Sequence, residues 1–186
     1  MKLLIMGPPG VGKGTQAKII KNELGIAHVS TGELLRDEIA KKTDIGSVAK
    51  KYIDRGKLVP DEYLFEIVRE RLNKPDCTNG YILDGFPRTL NQATGLEIIM
   101  DEYEQVLNKT ISLYADEDDL VERLVKRGED SGRSDDTSII IRNRQKIYWQ
   151  QTAPLLDFYN ERKLLNNING LGEIEEITNR ILNALK

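Results

Sequence analysis

Lys2-Leu-Leu-Ile-Met6 runs directly into Gly7-Pro-Pro-Gly-Val-Gly-Lys-Gly-Thr15, and Gln16-Ala-Lys-Ile-Ile-Lys-Asn-Glu-Leu24 follows. A short apolar run of strand-forming residues ends abruptly in glycines and prolines, and a stretch of helical composition takes over. Strand, glycine-rich turn, helix is the context a phosphate-cradling loop requires. Gly7 and Gly12, with four residues between them, let backbone N–H groups converge on an anion with no Cβ in the way. The helix behind them adds its unpaired N-terminal N–H groups and the positive end of its dipole. Lys13 places a point charge on the β- and γ-phosphates, and Thr15 offers a hydroxyl to Mg²⁺. Gly14 stands where the strict pattern has Ser or Thr, which is displaced by one position to Thr15.

Working outward, Ile26-Ala-His-Val29 is a second short strand. It ends at Ser30-Thr-Gly-Glu33, a capping-box start for a helix with Leu34, Leu35 and Ile39 on its apolar side. Ser30 and Thr31 equally serve as a plain helix cap. Helical patterns follow over 45–55 and 61–73, separated by Gly56 and a Lys57-Leu-Val-Pro60-Asp61 turn and N-cap. Residues 31–72 form a helical insert that is long for a crossover between strands. Tyr81-Ile-Leu-Asp84-Gly85 is a buried-strand pattern ending in an acid. At the carboxyl end of a strand in a doubly wound sheet, such an acid suits Mg²⁺ and its waters. Taken alone, it is also an aspartate in a turn before glycine. Phe86-Pro87 is a candidate cis bond carrying Arg88.

Helix is expected over 89–103, a strand over 109–114, and a helix capped by Asp116 with its body from Asp119 to Arg127. Gly128 to Asp136 is charged and glycine-rich, which by itself describes an exposed loop. A long helix over 137–163 with a break or kink at Pro154, a strand over 165–168 and a closing helix over 173–185 complete the chain. Five strands alternating with helices, at about 2–6, 27–30, 80–84, 109–114 and 165–168, predict a parallel sheet covered by helices on both faces. No repeat or linker interrupts the pattern.

Bulk properties narrow the function. At 186 residues the chain suits one domain, burying about 70% of its unfolded surface. Its 27 basic and 30 acidic side chains leave a net charge of −3, which argues against a nucleic-acid binder. The single Cys77 excludes a disulfide framework and a cysteine zinc site within the chain, and reads as a small inert residue. His28, the only histidine, reads as structural. The apolar stretch Leu3–Met6 is too short for a signal-peptide core, and no run reaches membrane-spanning length. A soluble, reduced, cytoplasmic chain is expected.

Arg36, Arg88, Arg123, Arg127, Arg133, Arg142 and Arg144 fall at strand ends, beside glycine-rich loops or at helical spacing. Individually each suits a solvated surface. Arg123 and Arg127, at i and i+4, repel by a few tenths of a kcal/mol unless an anion lies between them. Arg142 and Arg144 cannot both face one direction. Phosphoryl transfer explains the set, because its transition state spreads negative charge that guanidinium groups neutralise. An anionic phosphate acceptor needs no general base, and none is evident here.

Gly7-Pro-Pro-Gly-Val-Gly-Lys-Gly-Thr-Gln16, Ser30-Thr-Gly-Glu-Leu-Leu-Arg36, Gly56-Lys-Leu-Val59, Asp84-Gly-Phe-Pro-Arg-Thr89, Gln92, Ser131-Gly-Arg-Ser-Asp-Asp136 and Thr152-Ala-Pro154 together closely resemble the adenylate kinases, in one colinear order over essentially the whole chain. The resemblance implies a three-layer α/β/α P-loop fold with a five-stranded parallel sheet. It divides into a core (1–29, 60–127 and 137–186), an AMP-binding insert (30–59) and a short lid (128–136). It implies Mg-dependent transfer of the terminal phosphoryl group of ATP to AMP, giving two ADP. Gly10, Val11, Gly12, Lys13, Gly14 and Thr15 would hold the ATP phosphates. Arg123 would stack on the ATP adenine, with backbone near Gly172 reading its edge. Arg127, Arg133 and Arg144 would neutralise the moving group, with Arg142 a less certain member. Arg36 and Arg88 would grip the AMP phosphate, and Thr31, the backbone of Lys57, Leu58 and Val59, Gly85 and Gln92 would form its adenine pocket. Asp84, with Thr15, would orient hydrated Mg²⁺. The lid is the short form without Cys or His ligands, so no zinc is expected, and a monomer with ATP, AMP and ADP as its partners is. A UMP/CMP kinase is the nearest rival, but that family has Ala at the Thr31 position and Asn near Thr89 and Gln92. A non-catalytic P-loop regulator would not need Arg36, Arg88 and Gln92.

Overall fold

The computed structural model describes residues 1–131 and 133–186, apart from the side chains of residues 117, 118, 130 and 131. Five strands form one sheet: β1 (Lys2–Met6), β2 (Ala27–Ser30), β3 (Tyr81–Asp84), β4 (Lys109–Tyr114) and β5 (Leu165–Asn169). Their spatial order is β2-β3-β1-β4-β5 and every pairing is parallel. The predicted strands occur within a residue or so of their expected bounds.

Side chains alternate across a strand, so β1 feeds two cores. Leu4 and Met6 join Val29, Tyr81 and Leu83 on one face, where they pack against Leu64, Val68, Leu96, Ile99 and Leu155. Leu3 and Ile5 join Ile82, Ile111 and Leu113 on the other, against Ala17, Ile20, Leu120, Ile177 and Ile181. The first face is covered by α2 (Thr31–Lys41), α3 (Asp44–Ile53), α4 (Asp61–Leu72), α5 (Leu90–Glu102) and α8 (Leu155–Glu161). The second is covered by α1 (Lys13–Leu24), α6 (Glu117–Ser131) and α9 (Ile174–Leu185). With both faces buried, the central strands β1 and β3 read as near-continuous apolar runs, whereas the edge strand β5 is largely polar and only partly buried.

This strand order positions the site. The chain leaves β1 toward β2 on one side, and after β3 it crosses over β1 to β4 on the other. The carboxyl end of β1 is therefore the switch point of the sheet, where a crevice opens. The β1–α1 turn fills its centre. Turns after β2 and β3 line one side, and the middle of α6, from Arg123 to Arg127, lines the other.

Three local differences from the sequence reading have physical causes. Helix α6 continues through Ser131, one turn beyond the expected stop at Arg127. Gly128 is inside it, and a Cβ there would meet the Asp136 carbonyl oxygen at 2.8 Å. The glycine thus admits a close backbone approach and does not break the helix. Of the predicted lid, 128–131 is helix and Arg133–Asp136 is turn, while Gly132 lies outside the described residues. The predicted helix over 137–163 is α7 (Ser138–Ile147), a π-turn (Tyr148–Thr152) and α8, with the irregularity set just before Pro154. Asp61 is the first residue of α4, not its cap, and its carboxylate binds Asn91 and Gln92 on α5.

Helices α2 and α3 lie so close that a Cβ on Gly46 would come within 2.2 Å of the Glu38 carbonyl oxygen. Alanine is the better helix former by about 1 kcal/mol, but overpacking against backbone costs about 1–3 kcal/mol and leaves no flexible tip to yield. Gly46→Ala is therefore expected to lower stability by up to about 2 kcal/mol net, read as a lower urea midpoint. A raised midpoint would contradict this helix contact.

Candidate active site

The crevice is a cleft of about 440 Å³. Among the described residues, nine basic side chains line it (Lys13, Lys18, Arg36, Lys57, Arg88, Arg123, Arg127, Arg133 and Arg144) against three acidic ones (Glu33, Asp84 and Asp135). In a chain of net charge −3, a local excess of six positive charges marks a polyanion site.

At the centre, α1 begins at Lys13, three residues earlier than the sequence suggested, with Gly12 before it at φ 94°. The N–H groups of Lys13, Gly14 and Thr15 thus form the open first turn of a helix. Gly10 has φ 91°, and a Cβ on it would fall 2.7 Å from the Leu120 carbonyl oxygen. No other residue type fits there. Val11 contributes backbone only, since its side chain is buried in the core. Lys13 Nζ donates to the carbonyls of Gly7 (2.7 Å) and Pro8 (2.9 Å). Its burial, assisted by Arg88, Arg144 and Arg127 and opposed by Asp84, pushes its pKa down to about 7.

Asp84 ends β3 beside this loop. Burial works to raise its pKa, but His28, Lys13 and Arg88 outweigh it and hold the carboxyl below its usual value. His28 Nε2 stands 3.5 Å from Asp84 Oδ2 and makes no full hydrogen bond, which places the histidine behind the site, outside the cleft lining. Gly85 (φ 84°) turns the chain, and the Phe86–Pro87 peptide is cis. A Cβ on Gly85 would sit 3.0 Å from both an Arg88 guanidinium nitrogen and Thr31 Oγ1, so glycine leaves room for the Arg88 side chain. Arg88 Nε donates to the Gly85 carbonyl at 2.7 Å. Its buried guanidinium is disfavoured by desolvation and by Arg144, with Asp84 opposing.

On the other side, Arg123, Arg127, Arg133 and Arg144 face the cleft. Arg127 grips Asp136 with both nitrogens (2.7 and 2.8 Å). Arg144 donates to Asp136 Oδ1 (2.6 Å) and pairs with Asp135 Oδ2 (2.9 Å). The Asp136 carboxylate has no solvent exposure. Burial opposes its charge, and Arg127 and Arg144 more than compensate. Arg133, half-buried, has its pKa lowered by desolvation and by the nearby Arg36 and Arg127.

The structure thus brings together Gly10, Gly12, Lys13, Gly14, Thr15, Thr31, Arg36, Lys57, Leu58, Val59, Asp84, Gly85, Arg88, Arg123, Arg127, Arg133 and Arg144 around one space. Four expected residues lie outside the cleft lining, Val11 among them, with its side chain in the core. Arg142 is exposed on the outer face of α7. Gly172 lies in the β5–α9 turn at φ 113°. Gln92 is fully buried behind Arg88, accepting from the Arg88 N–H (2.7 Å) and donating to Asp61 (2.7 Å). Sequence reasoning gave no part in the site to Asp135, Asp136, Asp61 or Thr152. For the first two a signal was present, since paired acids adjoin a run of arginines.

The low pKa of Lys13 has a measurable consequence. At pH 8 a group with pKa about 7 is mostly neutral. Binding a triphosphate favours its charged form. Triphosphate binding at pH 8 is therefore expected to take up close to one proton, roughly, and affinity to fall as pH rises above 7. Calorimetry in buffers of different ionisation enthalpy reads this directly. Unchanged proton uptake in Lys13→Met would reject the assignment.

A family model described as adenylate kinase matches residues 5–164. Proteins named adenylate kinase from Leptospira biflexa serovar Patoc, Bifidobacterium longum and Stenotrophomonas maltophilia are 48%, 46% and 45% identical to this chain. The alignments cover 99% of both chains for the first, and 100% of both for the other two. With a five-stranded parallel sheet of matching class and a cleft lined by the same motifs, the chain belongs to the adenylate kinase family.

Proposed function

We propose that the chain catalyses reversible transfer of the terminal phosphoryl group of ATP to AMP, giving two ADP, with Mg²⁺ accompanying ATP. The observation that carries this reading is that one cleft has two anion-binding halves with arginines between them. The first half is the β1–α1 loop with Lys13, Arg123 and Arg127, and the second is Arg36, Arg88, Thr31 and the 57–59 segment. A regulator that only binds nucleotide has no use for the second half.

On this reading the 7–15 backbone and Lys13 bind the ATP phosphates, and Arg123 packs on its base. Arg36 and Arg88 orient the acceptor phosphate, whose oxygen is already anionic, so no proton needs removing. Arg127, Arg133 and Arg144 neutralise charge on the transferring group, and the carboxylates of Asp135 and Asp136 keep Arg144 aimed, with Asp136 also fixing Arg127. Gln92 supports the acceptor pocket from behind through the Arg88 backbone. Asp84 and Thr15 are hard oxygen donors beside the phosphate loop, a set that fits Mg²⁺ and its waters. When bound, the ion would neutralise phosphate oxygens. The core, the 30–59 insert and the 128–136 lid act as three parts that close over both nucleotides and exclude water. Among the described residues no helix is long and apolar enough to cross a membrane.

Two substitutions probe the halves separately. Lys13→Met is expected to cut turnover at least ~10²-fold through lost phosphate positioning. Arg88→Lys is expected to raise the AMP requirement and slow turnover, because a point charge cannot replace a planar fork. Kinetics within twofold of wild type would remove either residue from its role. The acceptor is tested with Mg·ATP and AMP, CMP, UMP or GMP in turn. Strong preference for AMP, with two ADP per ATP consumed, is the expected result, whereas preference for CMP or UMP would overturn the acceptor pocket alone.

A further inference from the structure

A phosphate loop presents its N–H groups inward only if its carbonyls turn outward, and each outward carbonyl then needs a donor. Lys13 Nζ supplies Gly7 and Pro8. The next carbonyl, Pro9, accepts from Gln145 Nε2 at 3.1 Å, across 136 residues of sequence. Gln145 is 2% exposed, and among the described residues its Oε1 has no partner. A buried unpaired amide oxygen lowers stability, so an apolar residue of equal size would serve packing better.

Seven residues on, the π-turn widens the helical run and re-aims the side chains at its end. Thr152, 7% exposed, donates its hydroxyl to the Arg88 carbonyl at 2.8 Å. A helical threonine ordinarily turns back to a carbonyl of its own helix. Beside these two contacts, the same run carries Arg144 into the cleft.

We infer that α7 and its π-turn form a strut, in which Gln145 positions the donor phosphate loop and Thr152 positions Arg88, both in register with Arg144. Neither residue is a catalytic residue, because each acts through another group. Once Lys13 engages nucleotide phosphates it releases the Gly7 and Pro8 carbonyls, and Gln145 is then the side chain that still restrains the loop. The inference rests on the proposed ATP-to-AMP reaction.

The test is steady-state kinetics on Gln145→Leu, Thr152→Val and Thr152→Ser beside wild type, each substrate varied against a saturating partner, together with thermal melting. Gln145→Leu keeps volume and deletes the unpaired oxygen, which offsets the loss of the donor to the Pro9 carbonyl, so its melting midpoint is expected close to that of wild type. Its KM for ATP is expected to rise about three- to tenfold, the worth of one hydrogen bond, while KM for AMP stays within about twofold. Thr152→Val should show the opposite split, and Thr152→Ser should restore wild-type values. Both KM values moving together, neither moving, or a lowered melting midpoint for Gln145→Leu with unchanged KM would overturn the strut. If wild type transfers no phosphoryl group from ATP to AMP, the underlying reaction fails and the inference falls with it.

Discussion

Nine basic side chains share a cleft of about 440 Å³, and like charges at that density repel. The positive dipole end of α1 adds to the repulsion at the centre, and two features of the rest of the chain make it tolerable. Asp84, Asp135 and Asp136 interleave with the cations, and Asp136 is completely buried between two of them. Lys13 relieves part of the strain by holding its proton weakly. The arrangement suits a polyanion, and the strand order gathers it: at the carboxyl end of β1 the turns after β1, β2 and β3 meet the Arg123–Arg127 stretch of α6.

The fold was legible because its signals are local. Short apolar runs ending in Gly or Asp mark the central strands β1 and β3, and the glycine pattern after Met6 fixes a strand-turn-helix unit. The features that escaped depended on distant partners. Gly128 looks like a helix stop until Asp136 is seen packed against it. Asp61 looks like an N-cap because its real ligands, Asn91 and Gln92, are thirty residues away. The π-turn before Pro154 leaves no mark in periodicity, since five residues are too few to register a change of pitch.

The site divides along the same line. Residue types with chemistry of their own, Lys13, Asp84 and the arginines, could be picked out one by one, and the family resemblance assigned them to two nucleotides. The side chains that aim them could not. Gln145 looks like a surface glutamine on a helix, and its burial against Pro9 is a tertiary fact. Gln92 is the instructive case. Its amide was matched to an adenine edge, yet both its oxygen and its nitrogen are engaged by Arg88 and Asp61. An amide so placed supports the acceptor loop while keeping a second N–H and a second lone pair, so these two bonds do not bar it from also meeting a base edge.

Two hydrogen bonds and one repulsion link the segments on either side of the cleft. The insert reaches the lid turn through Ser134 Oγ to Asp54 Oδ1 and reaches α7 through Asn143 Nδ2 to the Arg55 carbonyl, each at 2.8 Å. Both are exposed hydrogen bonds, worth about 0.5–1.5 kcal/mol apiece at most. Against them stands the repulsion of Arg133 by Arg36, which, after desolvation, helps to lower the Arg133 pKa. A phosphate chain spanning the two arginines would turn that repulsion into attraction, so the charges that repel across the cleft are the ones suited to hold a polyanion in it.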